Sequence, residues 1–212
     1  MSLQRVNRAL GACALLLGIS SANANRSAAP PVYRDGDLIF QRSTSQQSEM
    51  VGALTRSQWT HMGVVFVEPS GPVVYEAVSP VRRTPLREWI ARGKGRHYVV
   101  KRLRNGDQQL KPAVVREMKA LAGRWLGRPY DSKFRWDDES LYCSEIVHKL
   151  FDRAAHVRLG RIERARDMNL DDPRVKRALG RRFKPGEFNP DEPVVTPESI
   201  FRDERLVTVQ KQ

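Results

Sequence analysis

Apolar positions change their period along this chain, and each change marks an element. Residues 62–67 (MGVVFV) are almost continuously apolar, the pattern of a strand buried on both faces. Residues 73–78 follow the turn at Pro69-Ser70-Gly71-Pro72 and read as a neighbouring strand. Upstream, Gly36-Asp37-Leu38-Ile39-Phe40 reads as a turn feeding a short strand. Met50, Val51 and Leu54 fall at helical spacing within residues 45–55. Residues 85–91 read as a short helix and residues 97–103 as a third main strand. From Pro112 the period becomes helical. Val114, Met118, Leu121 and Trp125 share one face, with proline at the start and Gly127 as the stop. A second helix is predicted from about Tyr142 to Arg153, with Ile146, Val147, Leu150 and Phe151 inward. The final strand is predicted over residues 206–209, introduced by Thr196-Pro197. This alternation is too irregular for a doubly wound parallel sheet. The expected class is α+β, an antiparallel sheet or barrel packed on a few helices.

The first residues have a different pattern. Arg5 and Arg8 form a basic start, an apolar run follows over 9–19, and small residues end in Ala22-Asn23-Ala24. That succession predicts a secretory signal peptide over residues 1–24, cleaved after Ala24. Leu10-Gly11-Ala12-Cys13 looks like a lipoprotein box, but most of the apolar run comes after Cys13, so soluble release is expected. Residues 25–35 read as a flexible lead-in and residues 36–210 as one domain. The expected location is the periplasm or cell envelope.

Composition narrows the function classes. The chain has 212 residues with 40% hydrophobic and 29% charged, so wholesale disorder is excluded. No run of apolar residues is long enough for an ordinary transmembrane helix. Two cysteines exclude a disulfide framework and any Cys-rich zinc module. The formal charge of +13 points to an anionic partner, and export takes nucleic acid out of reach. Residues 153–184 hold eleven Lys/Arg against four Asp/Glu, with short helical pieces expected around Pro173. This basic excursion reads either as a solvated surface or as a flap over an anionic substrate.

Several motifs are missing, among them H-E-x-x-H, G-x-x-x-x-G-K, C-x-x-C and G-x-S-x-G. What remains is Cys143 in Leu141-Tyr142-Cys143-Ser144-Glu145, at a predicted helix start. Backbone N–H groups and the helix dipole there favour a thiolate, and the same N–H groups can hold an oxyanion. Asp137, Asp138 and Glu139 would oppose the thiolate if they pointed inward. The alternative is a buried inert cysteine, since Cys143 shares spacing with Ile146, Val147 and Leu150. A thiol nucleophile needs a base. His148 turns away from Cys143 on the same helix, His156 lies in the basic excursion, and His97 has no acidic neighbour. His61 stands at the mouth of the apolar strand, where a side chain can be rigidly aimed. Glu76 shares a strand face with Val74 and Val78, and a carboxylate there needs a partner. If the two strands form a hairpin, Glu76 can orient the His61 ring as a third triad member does. An edge-strand glutamate facing water is the alternative.

The segments Gly36-Asp37-Leu38-Ile39-Phe40, His61-Met62-Gly63-Val64-Val65 and Tyr75-Glu76-Ala77 together resemble the barrel half of NlpC-type papain-fold cysteine peptidases. In that family the nucleophile helix normally precedes the strands. Here its counterpart, Tyr142-Cys143-Ser144-Glu145-Ile146-Val147, follows them. That order resembles the circularly permuted, YiiX/YebB-like branch. Gly127-Arg128-Pro129-Tyr130-Asp131 and Thr196-Pro197-Glu198-Ser199-Ile200 are similar to further segments of it. Glu76 stands where unpermuted members commonly carry histidine.

The resemblance implies a cysteine hydrolase with a Cys143-His61-Glu76 triad and no metal or organic cofactor. It implies an oxyanion site at the N–H of Cys143 or Ser144, with Tyr130 as a further contact. Combined with export, it implies an amide in peptidoglycan stem peptides as substrate. The alternatives are a lipid acyl hydrolase or acyltransferase of the lecithin:retinol acyltransferase-like type, and a catalytically silent envelope-binding module. The expected partner is an anionic cell-wall peptide or lipid, with peripheral contact to an anionic envelope surface and no nucleic acid.

Overall fold

The computed structural model describes residues 33–212. The expected signal peptide over 1–24 and the lead-in up to residue 32 lie outside the described residues. The end of the lead-in is anchored: the Tyr33 and Tyr98 hydroxyls are 3.2 Å apart, and Asp35 pairs with Lys119 at 2.9 Å.

Six strands form the main sheet. They are β1 (Asp37–Ser43), β2 (His61–Glu68), β3 (Gly71–Glu76), β4 (Arg82–Pro85), β5 (Gly93–Leu103) and β8 (Leu206–Lys211), in the order β4-β3-β2-β1-β5-β8 with every pair antiparallel. The helices are α1 (Gln46–Thr55), α2 (Leu86–Ala91), α3 (Gly106–Gln109), α4 (Pro112–Trp125), α5 (Cys143–Leu150), α6 (Pro173–Arg182) and α7 (Pro197–Phe201). A two-stranded ribbon joins β6 (Ile162–Arg164) to β7 (Pro193–Val195). The barrel alternative is corrected here. The sheet stays open because β4 has only four residues and pairs only with β3, while β8 pairs only with β5.

Both faces of the sheet are covered, which explains the continuous apolar runs. Leu38, Phe40, Met62, Val64 and Phe66 pack toward α4 and α5, against Met118, Trp125, Ile146 and Val147. Ile39, Val65 and Val74 face the other way, onto Leu86 and Trp89 of α2. Alternate residues of one strand thus fill two cores. Each fully buried large side chain contributes roughly 1.5–3 kcal/mol.

Local signals set the helix ends. Ser45 caps α1 by accepting from the Ser48 N–H at 3.2 Å. Asp172 caps α6 ahead of Pro173. Past α4, Gly127 takes φ of +84°, which suits glycine. The helix expected to run from Tyr142 to Arg153 is α-helical only to Leu150, and then widens into a π turn over Phe151–Ala155.

Candidate active site

Cys143 is the first residue of α5, and α5 packs against β2. The turn that presents it is pinned from two directions. Val195 of β7 donates its N–H to the Tyr142 hydroxyl at 3.1 Å and accepts from the Ser144 hydroxyl at 2.8 Å. The Glu145 carboxylate accepts from the Tyr142 N–H at 3.2 Å, half of a capping box. The N–H groups of the first helical turn have no intrahelical partner, so those of Cys143 and Ser144 remain for a ligand. The Ser144 side chain does not, since Val195 occupies it.

His61 opens β2, as its place at the strand mouth suggested. Its ring stacks on Trp89, with centroids 5.7 Å apart and planes 24° from parallel. Nε2 lies 2.6 Å from Glu76 Oε2, which leaves Nδ1 for Cys143, with which His61 shares a hydrogen bond. The hairpin of β2 and β3 makes this possible: Val64 pairs with Tyr75, so the register sets Gly63 opposite Glu76. Only glycine fits there. A Cβ on Gly63 would stand 2.7 Å from the Tyr75 carbonyl oxygen and 2.5 Å from Val74 Cγ1.

Glu76 is fully buried, so the reading of an edge glutamate facing water does not hold. Thr84 donates to its Oε1 at 2.6 Å, Arg92 donates to the same oxygen, and Arg82 lies 3.6 Å away. Burial alone would raise the Glu76 carboxyl, but hydrogen bonds from His61 and Thr84 and the charges of His61 and Arg92 outweigh it. They hold Glu76 down at about 2. Burial alone would lower His61. Hydrogen bonding and electrostatic attraction from Cys143 and Glu76 outweigh it and raise His61 to about 9.

The acids upstream of Cys143 are engaged elsewhere. Asp138 pairs with Lys149 at 2.9 Å and with Arg153, and Asp137 caps the Glu139 and Ser140 N–H groups at 2.9 and 3.2 Å. His148 gives Nδ1 to the Leu159 carbonyl at 2.7 Å and plays no part in the site.

Tyr130 reaches the site by a route the periodicity did not show. It forms a parallel bridge with Leu141: the Asp131 N–H donates to the Leu141 carbonyl and the Leu141 N–H donates to the Pro129 carbonyl, both at 3.1 Å. This clamps Tyr130 beside the nucleophile turn. A cleft runs from Cys143 and Tyr130 outward. Its walls include Met50 and Leu54 of α1, Phe134, Met168, Leu179 of α6 and Phe183. The basic excursion therefore supplies a wall of the cleft, with its apolar residues turned inward.

A model of the permuted papain-like amidase family, the YaeF/YiiX or C92 family, matches residues 32–210. The chain belongs to this family. Permuted papain-like amidases are cysteine hydrolases, and that is the class of this enzyme. The chain is 39% identical over 181 residues to the uncharacterised protein YiiX of Escherichia coli strain K12, covering 84% of this chain and 86% of that one. A crystal structure of YiiX from Escherichia coli O157:H7 matches with a TM-score of 0.79 at 37% identity, covering 84% of this chain and 97% of that one. That YiiX is described as a metalloprotein. Among the described residues of the present family member, no group of three or more His, Cys, Asp or Glu side chains could hold a metal ion.

Thr84, Trp89 and Arg92 complete the site without being marked in the sequence. Their signal was slight. Arg82-Arg83-Thr84 reads as an ordinary polar stretch, and Trp89-Ile90-Ala91-Arg92 as the end of a short helix.

Proposed function

We propose that this amidase hydrolyses an acyl amide whose acyl part is an apolar chain, with Cys143, His61 and Glu76 as its triad. The carrying observation is the cleft that ends at Cys143 between Met50, Leu54, Phe134, Met168, Leu179 and Phe183. Such walls favour a hydrocarbon chain at roughly 0.8 kcal/mol per buried methylene. A peptidoglycan stem peptide carries free carboxylates, and the cleft's cations Lys133 and Arg135 are both engaged by Glu187, so it is the less suited substrate.

The Cys143 sulfur attacks the acyl carbonyl with its proton already held by His61, and the carbonyl electrons move onto oxygen. The N–H groups at the start of α5 and the Tyr130 hydroxyl donate hydrogen bonds to that oxyanion. Collapse breaks the C–N bond, and His61 protonates the leaving amine. Water then attacks the thioester with His61 as base, releasing the carboxylic acid and the thiol. Glu76 holds the His61 ring in one tautomer through Nε2.

The N-terminal pattern supports action in the periplasm or envelope, where anionic amphiphiles meet a strongly basic protein even after Arg5 and Arg8 leave with residues 1–24. Mass analysis of products from long-chain acyl amides and, in parallel, cell-wall peptides tests the reading. Release of fatty acid by wild type and not by Cys143→Ala is expected. Cleavage of stem peptides alone would overturn the acyl-chain reading, and N-terminal sequencing of the envelope protein should begin at Asn25.

A further inference from the structure

Three side chains from separate elements form a one-way series of hydrogen-bond donors that ends in the cleft. Arg182, the last residue of α6, donates through Nη2 to Gln47 Oε1. Gln47, in the first turn of α1, donates through Nε2 to the Tyr130 hydroxyl at 3.2 Å. Tyr130 lines the cleft together with Cys143.

The direction of this series follows from chemistry. A guanidinium can only donate, so it fixes the Gln47 amide with Oε1 toward Arg182 and the NH2 toward Tyr130. The phenol oxygen then accepts from Gln47, and its own hydrogen is left to donate into the cleft. Without Arg182 the amide could turn over, and Gln47 would take the phenol hydrogen instead.

Arg182 is otherwise hard to account for. Among the described residues it has no carboxylate partner, and its Nη1 is buried without a hydrogen bond. Its guanidinium lies over the Phe134 ring, 5.9 Å from the centroid. A half-buried cation without an acid is costly. At the end of a donor series its charge has a use, because each donor polarises the next.

We propose that Arg182 and Gln47 are positioning residues that hold the Tyr130 hydroxyl as a hydrogen-bond donor to the oxyanion. This rests on the reading of Cys143 as the nucleophile. It assigns work to a charge in the basic excursion that neither surface attraction nor the apolar wall explains.

The test uses the full chain and a chromogenic p-nitroanilide or p-nitrophenyl ester of a medium-chain fatty acid. Tyr130→Phe should lower kcat roughly 10²–10³-fold, the cost of one oxyanion donor. Gln47→Glu keeps the shape but turns a donor into an acceptor for the phenol hydrogen, so it should cost as much as Tyr130→Phe. Gln47→Leu leaves that hydrogen free and should cost less than about 10-fold, with KM little changed in all three. Arg182→Met should lower kcat and Arg182→Lys should restore most of it. In the Tyr130→Phe background none of these changes should cost anything more.

Equal losses for Gln47→Glu and Gln47→Leu, or the same Arg182→Met loss in both Tyr130 backgrounds, would overturn the proposal. If a Gln47 variant fails to fold, the Arg182→Met and Arg182→Lys pair in the two backgrounds decides the question alone. Iodoacetamide labelling of Cys143 should be unchanged throughout, since the series acts on the oxyanion and not on the thiol. A wild type that neither labels at Cys143 nor turns over substrate sinks the reading of Cys143 as the nucleophile. Normal labelling and turnover with the wrong variant pattern sinks only the positioning role.

Discussion

On the sheet side of Cys143, Glu76 accepts hydrogen bonds from His61, Thr84 and Arg92, and Trp89 covers the His61 ring. On the helix side, the cleft is bounded by Met50, Leu54, Met168 and Leu179, whose contacts have no required direction. One flank is a set of groups with fixed angles. The other is a set of volumes. Directional bonds set the reactive geometry to fractions of an ångström, and a small displacement there loses rate. Apolar walls can be reshaped by one side chain at a time with graded effects on which chain fits. The difference implies that chemistry and selectivity can be altered separately in this protein.

The largest expected effect is on the directional flank. His61→Ala removes the proton acceptor and donor together, and kcat should fall by about 10²–10⁴-fold with KM little changed. Steady-state kinetics on an acyl p-nitroanilide check it, and a loss confined to KM would place His61 in binding.

Next comes the apolar flank. Leu179→Ala should lower kcat/KM for a long-chain substrate about 10-fold and leave a short-chain substrate unchanged. Equal losses on both chain lengths would erase the contrast between the flanks.

A smaller effect concerns protons. His61 is raised to about 9 from an ordinary 6.5, so its pairing stabilises the fold fully below about 6.5 and less as pH rises through about 9. Glu76 is lowered to about 2 from 4.5, so its share is present above about 4.5 and lost as pH falls through about 2. Thermal melts should therefore weaken toward pH 9. Glu76→Gln should move the His61 titration, followed by NMR, to lower pH. An unmoved titration would mean that Glu76 does not support the imidazolium.

The smallest effect lies outside both flanks. Arg177 and Arg181 of α6 have no ion-pair partner among the described residues, whereas Arg161 and Lys176 pair with Glu163 and Asp171 at 2.6 and 2.9 Å. Reversing Arg177 and Arg181 to Glu should raise KM for an anionic amphiphile at low salt. The difference should shrink once screening acts over ~10 Å in 0.1 M salt. An unchanged KM at low salt would reduce these charges to a solvated surface.

The two flanks were also unequally legible. Cys143 at a helix start, His61 at a strand mouth and Glu76 on an apolar strand face could all be picked out, because each breaks a local pattern. The continuous apolar run marked β2, and the turn at Gly36-Asp37 marked the start of β1. Thr84, Trp89 and Arg92 could not be found this way. They act through pairing across β3 and β4 and through the packing of α2, and periodicity carries no information about partners distant in sequence. The wall formed by residues 153–184 was hidden by its own charge. Val175, Ala178 and Leu179 do fall at helical spacing there, but arginines and lysines between them dominate the composition. Those three residues pack toward Met50 and Val51 of α1, so the excursion is a charged skin over an apolar seam.

The β4 edge of the open sheet has a consequence for association. A strand with one side unpaired offers its backbone to any neighbouring molecule, and a long flat apolar edge seeds aggregates. Here the edge strand β4 is four residues long and begins with Arg82 and Arg83. Arg83 is held by Glu68 at 3.1 Å, while Arg82 lies near Glu76. Two bulky cations, partly fixed in place, make strand addition by a second copy unfavourable. Arg82, which lies beside the buried Glu76 carboxylate, thus also disfavours pairing along this edge.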